Sequence, residues 1–294
     1  MFEFLKDDCV LCNTKHFTFF MNRKDNKYIC KDCANKCLLY NNNFYMYSIE
    51  ELKQSLKEEK SVKEIKQEIF IRQKQKDFWR IIQNIKFITP IISKEKVKRK
   101  YLKDIPDFNY SSIRKNTPPK KLENFVVIDT ETTGLHPASD ELLEISAIKF
   151  VNGNPIECLS TLVKPKKAIS LSITQINNIS NIMVQDSPCV FNIIDNFSSF
   201  IKGYNIVGYN LNFDLKFLHV NGMDFFSEKR QFYDVLQLCR NYFGKNCVKN
   251  FKLDTIAPLC DIYRPVAHRA TEDALATGLL FLKIGSKLCN GERL

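Results

Sequence analysis

The sequence predicts an α/β fold in which a mixed β-sheet is flanked by helices and preceded by a small zinc-binding segment and a helical region. Three observations support this prediction. From residue 122 onward, a hairpin pattern leads into alternating strands and helices, which is typical of a mixed sheet covered by helices. The stretch 46–90 has apolar residues at helical spacing and no glycine. Upstream of it, four cysteines form two C-x2-C pairs.

The cysteine pairs predict a structural zinc site in a module spanning residues 1–45. The motifs CVLC and CKDC are separated by 17 residues, and each places two thiolates in one turn. Four thiolates suit tetrahedral zinc, and binding the ion would supply about 10 kcal/mol that so small a module needs in order to fold. His16 and Cys37 lie near enough to act as substitute ligands, whereas a redox site is disfavoured because no βαβ pattern surrounds the pairs. The predicted ligands of one structural Zn²⁺ are Cys9, Cys12, Cys30 and Cys33.

Residues 46–100 are predicted to form a basic helical region. Two capping boxes, SIEE and SVKE, divide it into helices over 48–60 and 61–88, and Pro90 ends the second. The basic runs KEKVKRK and RKNTPPKK and the Pro-Pro pair indicate a linker over 101–121. The apolar face of the second helix is predicted to be core and consists of Ile65, Ile69, Phe78, Ile82 and Ile85.

The charge distribution favours a polyanionic partner. The formal net charge is +11, and residues 1–120 carry all of it, with 26 Lys and Arg against 15 Asp and Glu. Such a cationic region beside a neutral one suits nucleic acid, although a solvated lysine-rich surface has the same composition. The chain has no stretch of eighteen apolar residues and no export signal at its start, so we expect a cytoplasmic protein with reduced thiols and no membrane span.

Residues 122–294 have the alternation of strands and helices that predicts the mixed sheet. A hairpin is predicted where the turn sequence NGN joins two strands. The predicted strands lie near 125–129, 142–151, 156–163, 205–209 and 231–235, and the predicted helices near 172–179, 188–202, from about 213, and onward from 235 to the end.

Two carboxylates follow the apolar run of the first of these strands. Asp129 and Glu131 are two positions apart in FVVIDTETTG, so both project on one side of a buried strand. This arrangement is costly unless a cation lies between them or one acid is protonated. Asp214 follows a later strand end, and Asp273 falls in the first turn of a helix, five residues after His268. Four such oxygen donors suit Mg²⁺ or Mn²⁺ and can hold two ions, although a lone Asp in a first turn is more often a helix cap.

Three motifs make the C-terminal region recognisable. DTETTG, NLNFD and HRATED resemble, in order and context, the motifs of the DEDDh 3′-5′ exonuclease family, which includes the proofreading subunit of bacterial replicative polymerase. The resemblance spans about 122–289 and includes the intervening stretches TLVKP, FSSFIKGYNIVGYN and KLDTIA. It implies an RNase H-like fold over 122–294 and hydrolysis of nucleotides from the 3′ end of nucleic acid, with DNA the favoured substrate.

The resemblance also implies roles for individual residues. The family's general base matches His268. Its contacts to the terminal nucleobase and the 3′ hydroxyl match residues after the acid pair, for which tightening of the turn is a rival explanation. Many relatives have His where this chain has Tyr209. The implied ligands of two Mg²⁺ or Mn²⁺ ions are Asp129, Glu131, Asp214 and Asp273, and the implied substrate-binding residues are Thr132, Gly134, Leu135 and Asn210.

Together these features predict a two-metal-ion exonuclease acting on single-stranded 3′ ends, with polymerase or repair machinery as further partners. Two alternatives remain at this point. The nuclease fold can recognise 3′ ends without cutting them, in which case the five site residues serve binding alone. The zinc segment can act as an adaptor for another protein rather than as a nucleic-acid contact.

Overall fold

The structure is a computed structural model that describes residues 19–22, 27–30, 62–92, 106, 108–118, 122–244, 247–264 and 268–294. For residues 19–22, 27–30, 62–70 and 72, only the backbone is described. The chain divides into two compact units, Met1–Gln73 and Lys74–Leu294. The second unit contains all residues predicted to carry the chemistry.

In the first unit, a two-stranded antiparallel hairpin follows the first cysteine pair and ends at Cys30, the first cysteine of the second pair. Strands β1 (Phe19–Asn22) and β2 (Lys27–Cys30) pair from Phe19 opposite Cys30 to Asn22 opposite Lys27. The zinc ligands Cys9, Cys12 and Cys33, the side chain of Cys30 and the helix expected over 48–60 lie outside the described residues. The zinc site therefore stays a prediction.

The second predicted helix is shorter than expected at its C-terminus. Helix α1 (Val62–Asn84) ends at Asn84, whose side-chain amide donates 3.0 Å to the carbonyl of Arg80 and so satisfies a group of the last turn. Residues expected in its final turn instead form strand β3 (Lys86–Ile88), which pairs in parallel with residues 157–159 and forms one edge of the sheet. The prediction of a helix to residue 88 was wrong because this pairing outweighs local helical periodicity.

The core face predicted for this helix is confirmed where it is described. Phe78, Ile82 and Ile85 are buried and pack into one of the cores of the second unit. The side chains of the other two predicted positions, Ile65 and Ile69, lie outside the described residues.

The second unit contains a six-stranded mixed sheet in the order β3-β6-β5-β4-β7-β8. Strands β4, β5 and β6 form an antiparallel meander, and β7 and β8 continue the sheet parallel to β4. Asn152 and Gly153 form the predicted turn between β5 and β6, with φ angles of 50° and 73° that suit Asn and Gly. The strands are β4 (Phe125–Thr132), β5 (Leu142–Val151), β6 (Asn154–Leu162), β7 (Asn205–Gly208) and β8 (Phe232–Asp234).

Helices flank this sheet, as predicted, with differences at their ends. The helix expected over 172–179 ends at Asn177 because Asn178 adopts a left-handed conformation, and Ser180 then caps a new helix. The helix expected over 188–202 begins with a 3₁₀ turn, Val190–Asn192. The helices are α2 (Leu171–Asn177), α3 (Asn181–Val184), α4 (Ile194–Phe200), α5 (Asn212–Val220), α6 (Val235–Phe243), α7 (Leu253–Leu259) and α8 (Ala270–Cys289).

Strand β4 is buried on both faces and separates two cores. Phe125 and Val127 pack with α6, α7 and α8 on one face, whereas Val126 and Ile128 pack with α4 and α5 on the other. Gly278 of α8 lies so close to the sheet that an added Cβ would approach the ring of Phe150 to 2.4 Å. Strand side chains alternate between the two faces of a sheet. Asp129 and Glu131 lie two and four positions after Val127, so they face α8 as Val127 does.

Part of the segment predicted as a linker is packed within the second unit. Phe108 is buried among the rings of Phe225, Phe226 and Phe232. The amide of Ser111 donates a 2.7 Å hydrogen bond to the carbonyl of Phe232 in the outer strand β8. Residues 108–118 are thus held on the sheet domain.

Among the helices that the structure describes, none has the length and apolarity needed to cross a bilayer.

Candidate active site

Three of the four predicted acids meet at the C-terminal end of β4. Asp129 and Glu131 face α8, whose first turn carries Asp273. One carboxylate oxygen from each of these three residues lies within 4.8 Å of the other two. An all-carboxylate set of this kind suits a hard divalent cation such as Mg²⁺ or Mn²⁺.

The fourth predicted acid, Asp214, reaches the same strand end from the other core. It lies in the first turn of α5 and is almost fully buried. Thr130, which points away from α8, donates a 2.7 Å hydrogen bond from its hydroxyl to Oδ1 of Asp214. Asp214 is outside the three-acid group, yet its charge raises the pKa values of both Asp129 and Glu131.

The acids repel one another in a buried setting, and their pKa values are raised. Burial raises the pKa of Glu131 to about 8, with further contributions from the charges of Glu144 and Asp214. Burial also raises the pKa of Asp214 to about 7, partly offset by the Thr130 hydrogen bond. The pKa of Asp129 is raised well above its ordinary range by burial and by the neighbouring acids Asp214 and Glu131. Bound divalent cations would stabilise the charged forms, so the donor set fits a metal centre.

The predicted base, His268, is exposed and lies two residues before α8 begins. Its φ angle of 58° is in the left-handed region, which is uncommon for a residue other than glycine. Residues 265–267, which lead into it, are outside the described residues.

Three of the four residues predicted to contact substrate lie at the end of β4 and in the loop that follows it. The Thr132 hydroxyl donates a 2.6 Å hydrogen bond to the carbonyl of Gly134, which tightens the turn. An added Cβ at Gly134 would lie 2.5 Å from the carboxylate of Asp140, which accepts the amide of His136, so a larger residue would displace that side chain. Leu135 is 76% exposed at the tip. This geometry supports the turn interpretation for Thr132 and Gly134 and leaves Leu135 available for contact.

Asn210 and Tyr209 hold the turn between β7 and α5. Asn210 has a φ of 58°, and its amide donates 3.0 Å to Oδ1 of Asp234. The same oxygen accepts the amide of Leu236 and caps α6. The Tyr209 hydroxyl donates 2.6 Å to the carbonyl of Phe251, ahead of α7. Tyr209 therefore has a structural contact at the position where many relatives have His.

Sequence reasoning missed two positively charged residues near the acids. Arg264 is almost fully buried and forms ion pairs with Asp254 and with Asp273. Its charge lowers the pKa values of Asp129 and Glu131. Arg269, in the third motif, forms a two-point ion pair with Glu144 of β5. A glutamate inside the apolar strand LLEISAIKF was a sequence signal for such a partner.

Comparison with known proteins identifies a family for this chain. Residues 126–281 match the model of the RNase_T family, described as Exonuclease. The chain is 37% identical over 165 residues to a DNA polymerase III PolC-type of Caldanaerobacter subterraneus subsp. tengcongensis, covering 56% of this chain and 12% of that protein. It is 33% identical over 165 residues to the Bacillus subtilis protein of the same name, covering 55% of this chain and 11% of the relative. The match thus spans about an eighth or less of these relatives.

Solved structures show the same fold. A zinc-bound E. coli ExoI–ssDNA complex superposes with a TM-score of 0.51 at 20% identity, covering 57% of this chain and 42% of that one. A structure of exonuclease I superposes with a TM-score of 0.50 at 21% identity, covering 56% of this chain and 41% of the other. The predicted RNase H-like mixed sheet flanked by helices is therefore confirmed.

Proposed function

The chain belongs to the exonuclease family, whose model it matches over more than half of its length, and from this premise we propose that it hydrolyses nucleic acid from the 3′ end. The observation on which this rests is the convergence of Asp129, Glu131 and Asp273 at the end of β4, with Asp214 hydrogen-bonded to the same strand. Exonuclease chemistry needs such a site because phosphodiester hydrolysis develops charge on both the attacking and the leaving oxygen.

The four acids are the proposed ligands of two Mg²⁺ or Mn²⁺ ions. Bound at this site, the ions would activate a water and stabilise the charge that develops on the phosphate. Asp129 is flanked by the charges of Asp214 and Glu131, which makes it the best placed acid to serve both ions. Thr130 orients Asp214, and the first turn of α8 orients Asp273.

His268 is the proposed general base. Its imidazole is exposed just ahead of the helix that carries Asp273. A base at this position would take a proton from a water bound over the acids. An imidazole accepts a proton near neutral pH, as deprotonation of an attacking water requires. The left-handed backbone at His268 sets the direction in which the side chain leaves the chain.

The proposed substrate is a single-stranded 3′ end, and DNA is favoured. The similar curated proteins are named as DNA polymerase III, and one solved structure of similar fold is titled as a complex with ssDNA. Leu135 is 76% exposed and would pack against the terminal base, whereas Thr132, Gly134 and Asn210 shape the surrounding turns. Polymerase or repair machinery is the proposed partner.

The N-terminal region is proposed to hold substrate or to dock such machinery. Its support is the +11 charge confined to residues 1–120 and the β1–β2 hairpin that follows the first cysteine pair and ends at Cys30, as a Zn²⁺ module over 1–45 would have. The proposed division is completed by a basic helical region over 46–100, a linker over 101–121 and the exonuclease domain over 122–294.

The test is degradation of oligonucleotides labelled at the 5′ end, as DNA and as RNA, with Mg²⁺, with Mn²⁺ or with EDTA. We expect products that shorten one nucleotide at a time from the 3′ end, only with metal. Asp129→Asn should remove most of this activity and leave the fold intact. Metal-independent cleavage, shortening from the 5′ end, or full activity of the Asp129→Asn variant would refute the proposal. Tight binding of 3′ ends without cleavage would instead support a non-catalytic recognition module.

A further inference from the structure

Glu144 is a buried carboxylate that the proposed chemistry leaves without a role. It lies on β5 directly opposite Glu131 of β4 and is only 3% exposed. A buried carboxylate is costly unless a cation and hydrogen-bond donors satisfy it. Glu144 receives both from one short segment: Arg269 donates from Nε and from Nη2, each at 3.0 Å, and the amide of Ala270 donates at 3.1 Å.

These contacts fasten the N-terminus of α8 to the sheet. Arg269 is the N-cap residue and its own side chain makes no capping hydrogen bond, so Glu144 accepts the amide of the first helical residue in its place. A carboxylate at this end also interacts favourably with the helix dipole. A second tether follows one residue later, where the Thr271 hydroxyl donates 2.9 Å to Ser160 on β6 and lies 3.4 Å from the hydroxyl of Ser146 on β5.

The fastened segment carries two of the five residues proposed to perform the reaction. His268 directly precedes Arg269, and Asp273 follows it by four residues, in the first turn of α8. His268 has a left-handed backbone, which persists only where neighbouring contacts hold it. Asp273 must bring one oxygen within 4.8 Å of both Asp129 and Glu131. A shift of α8 by one ångström would therefore displace both groups relative to β4.

We propose that the Glu144–Arg269 ion pair positions His268 and Asp273 over the acids of β4. The inference rests on the proposed function, and both members are positioning residues, because neither is needed to touch metal or substrate. Glu144 fixes Arg269 and the start of α8, and Arg269 fixes the backbone of His268. The pair thus links the strand next to β4 with the helix that completes the site, across 125 residues of sequence.

Four variants test the pair: Glu144→Gln, Arg269→Gln, Arg269→Lys and the double variant Glu144→Gln/Arg269→Gln. The matched control is Glu157→Gln, which breaks another partly buried pair on the same sheet, Lys149–Glu157 at 3.1 Å. With a single-stranded DNA oligonucleotide and Mn²⁺, we expect kcat to fall by ~10- to 100-fold in the two Gln single variants, with KM changed by less than ~3-fold. The control should keep the wild-type kcat.

Non-additivity and partial rescue separate positioning from general stability. If the pair acts as a unit, the double variant should be no slower than the slower single variant. Arg269→Lys keeps the charge but loses the two-point geometry, so its kcat should lie between those of wild type and Arg269→Gln. Thermal unfolding of each variant shows whether it is folded at the assay temperature, and Arg269→Lys remains informative if a Gln variant is not.

A readout without substrate or metal is amide hydrogen exchange in EDTA. We expect faster exchange over residues 268–274 in Glu144→Gln and Arg269→Gln, with α6 unchanged. The inference is overturned if these variants hydrolyse DNA at the wild-type kcat or if exchange over 268–274 is unaltered. If wild type is active and the variants have the same kcat, the inference is wrong while the proposed function stands. A wild-type protein without metal-dependent hydrolysis refutes the proposed function instead, while the exchange data still report whether the pair holds α8.

Discussion

The hydroxyl of Thr130 donates a 2.7 Å hydrogen bond to Oδ1 of Asp214, joining two buried side chains 84 residues apart. Thr130 lies between Asp129 and Glu131 on β4 and therefore points to the face opposite theirs. One strand end thus presents two acids to α8 and holds a further acid from α5. The alternation of a single β-strand is what brings both cores to the proposed metal site.

Thr130→Val removes this hydrogen bond and keeps the shape of the side chain, so it tests the hydrogen bond alone. The substitution removes the donor and leaves a buried carboxylate oxygen without it, so we expect the free energy of unfolding to fall by about 1–3 kcal/mol. We expect kcat to fall by roughly 10-fold, because Asp214 loses its fixed orientation. Urea unfolding and single-turnover cleavage of DNA measure the two effects.

The matched control is Thr277→Val in α8. Thr277 is also buried, but among the described residues its hydroxyl has no hydrogen-bond partner. Replacing it should leave the free energy of unfolding within about 0.5 kcal/mol or raise it, and kcat should not change. Equal losses in the two variants would show that the Thr130 hydrogen bond has no special importance.

The acids also predict how metal-free stability depends on pH. Glu131 and Asp214 have pKa values raised to about 8 and about 7 in the folded protein, against ordinary values of 4.5 and 3.8. The folded state therefore holds protons that the unfolded state has lost, and stability in EDTA should fall as pH rises from about 4.5 to about 8. Protonation of one acid relieves the repulsion on its neighbours, so we expect a total loss of roughly 2–4 kcal/mol.

Mn²⁺ should reverse this trend. The cation stabilises the charged carboxylates, so the rise in melting temperature on adding Mn²⁺ should be larger at pH 8 than at pH 5.5. The check is a pair of thermal unfolding series, with EDTA and with Mn²⁺, on wild type and on Glu131→Gln. The variant should have a flatter profile in EDTA. An equal Mn²⁺ effect at both pH values would contradict the role of these acids as ligands.

Much of this site could be predicted from the sequence because its parts are local. The run Phe125–Ile128 predicted a strand buried on both faces, and the two cores on either side of β4 confirm it. The two-residue spacing predicted that Asp129 and Glu131 share a face, and the position of Asp273 predicted a first helical turn. Each of these follows from the period of one element.

The remaining features depend on contacts between distant segments. Glu144 is opposite Glu131 only because of the β4–β5 register, and its partner Arg269 is 125 residues away. Residues 86–88 were predicted as the end of a helix, but they form a strand because they pair with β6. No periodicity within a single segment contains the information about such pairings.

Arg264 should compete with metal for Asp273. Its nearly buried guanidinium forms an ion pair with the Asp273 carboxylate and lowers the pKa values of Asp129 and Glu131. Arg264→Gln removes this positive charge, so we expect Mn²⁺ to bind roughly 3- to 10-fold more tightly by isothermal titration calorimetry. The melting temperature in EDTA should fall, because the acids lose a counter-charge.

Lys283→Gln is the control for this experiment. Lys283 pairs with Asp261 at 3.0 Å on a more exposed surface, so its loss should leave the affinity for Mn²⁺ unchanged. Weaker Mn²⁺ binding in Arg264→Gln would mean that the arginine supports the metal site instead of competing for it.

Tyr209→Phe should affect stability more than substrate binding. The hydroxyl of Tyr209 donates to the carbonyl of Phe251, so its removal should lower the free energy of unfolding by about 1 kcal/mol. KM for a DNA oligonucleotide should change by less than about 2-fold, since the hydroxyl is already engaged within the chain. A large rise in KM with unchanged stability would show that this position contacts substrate.

His268→Asn and Asp273→Asn should separate proton transfer from metal binding. Both residues flank the start of α8, but only Asp273 belongs to the acid group at the end of β4. Asn tolerates the left-handed backbone at position 268, so the substitution removes the imidazole without disturbing φ. We expect His268→Asn to bind Mn²⁺ with wild-type affinity and to lose about 10²- to 10⁴-fold in kcat. Asp273→Asn should lose both Mn²⁺ affinity and kcat. If His268→Asn retains its kcat, another group or hydroxide from solution removes the proton, and His268 is not the base.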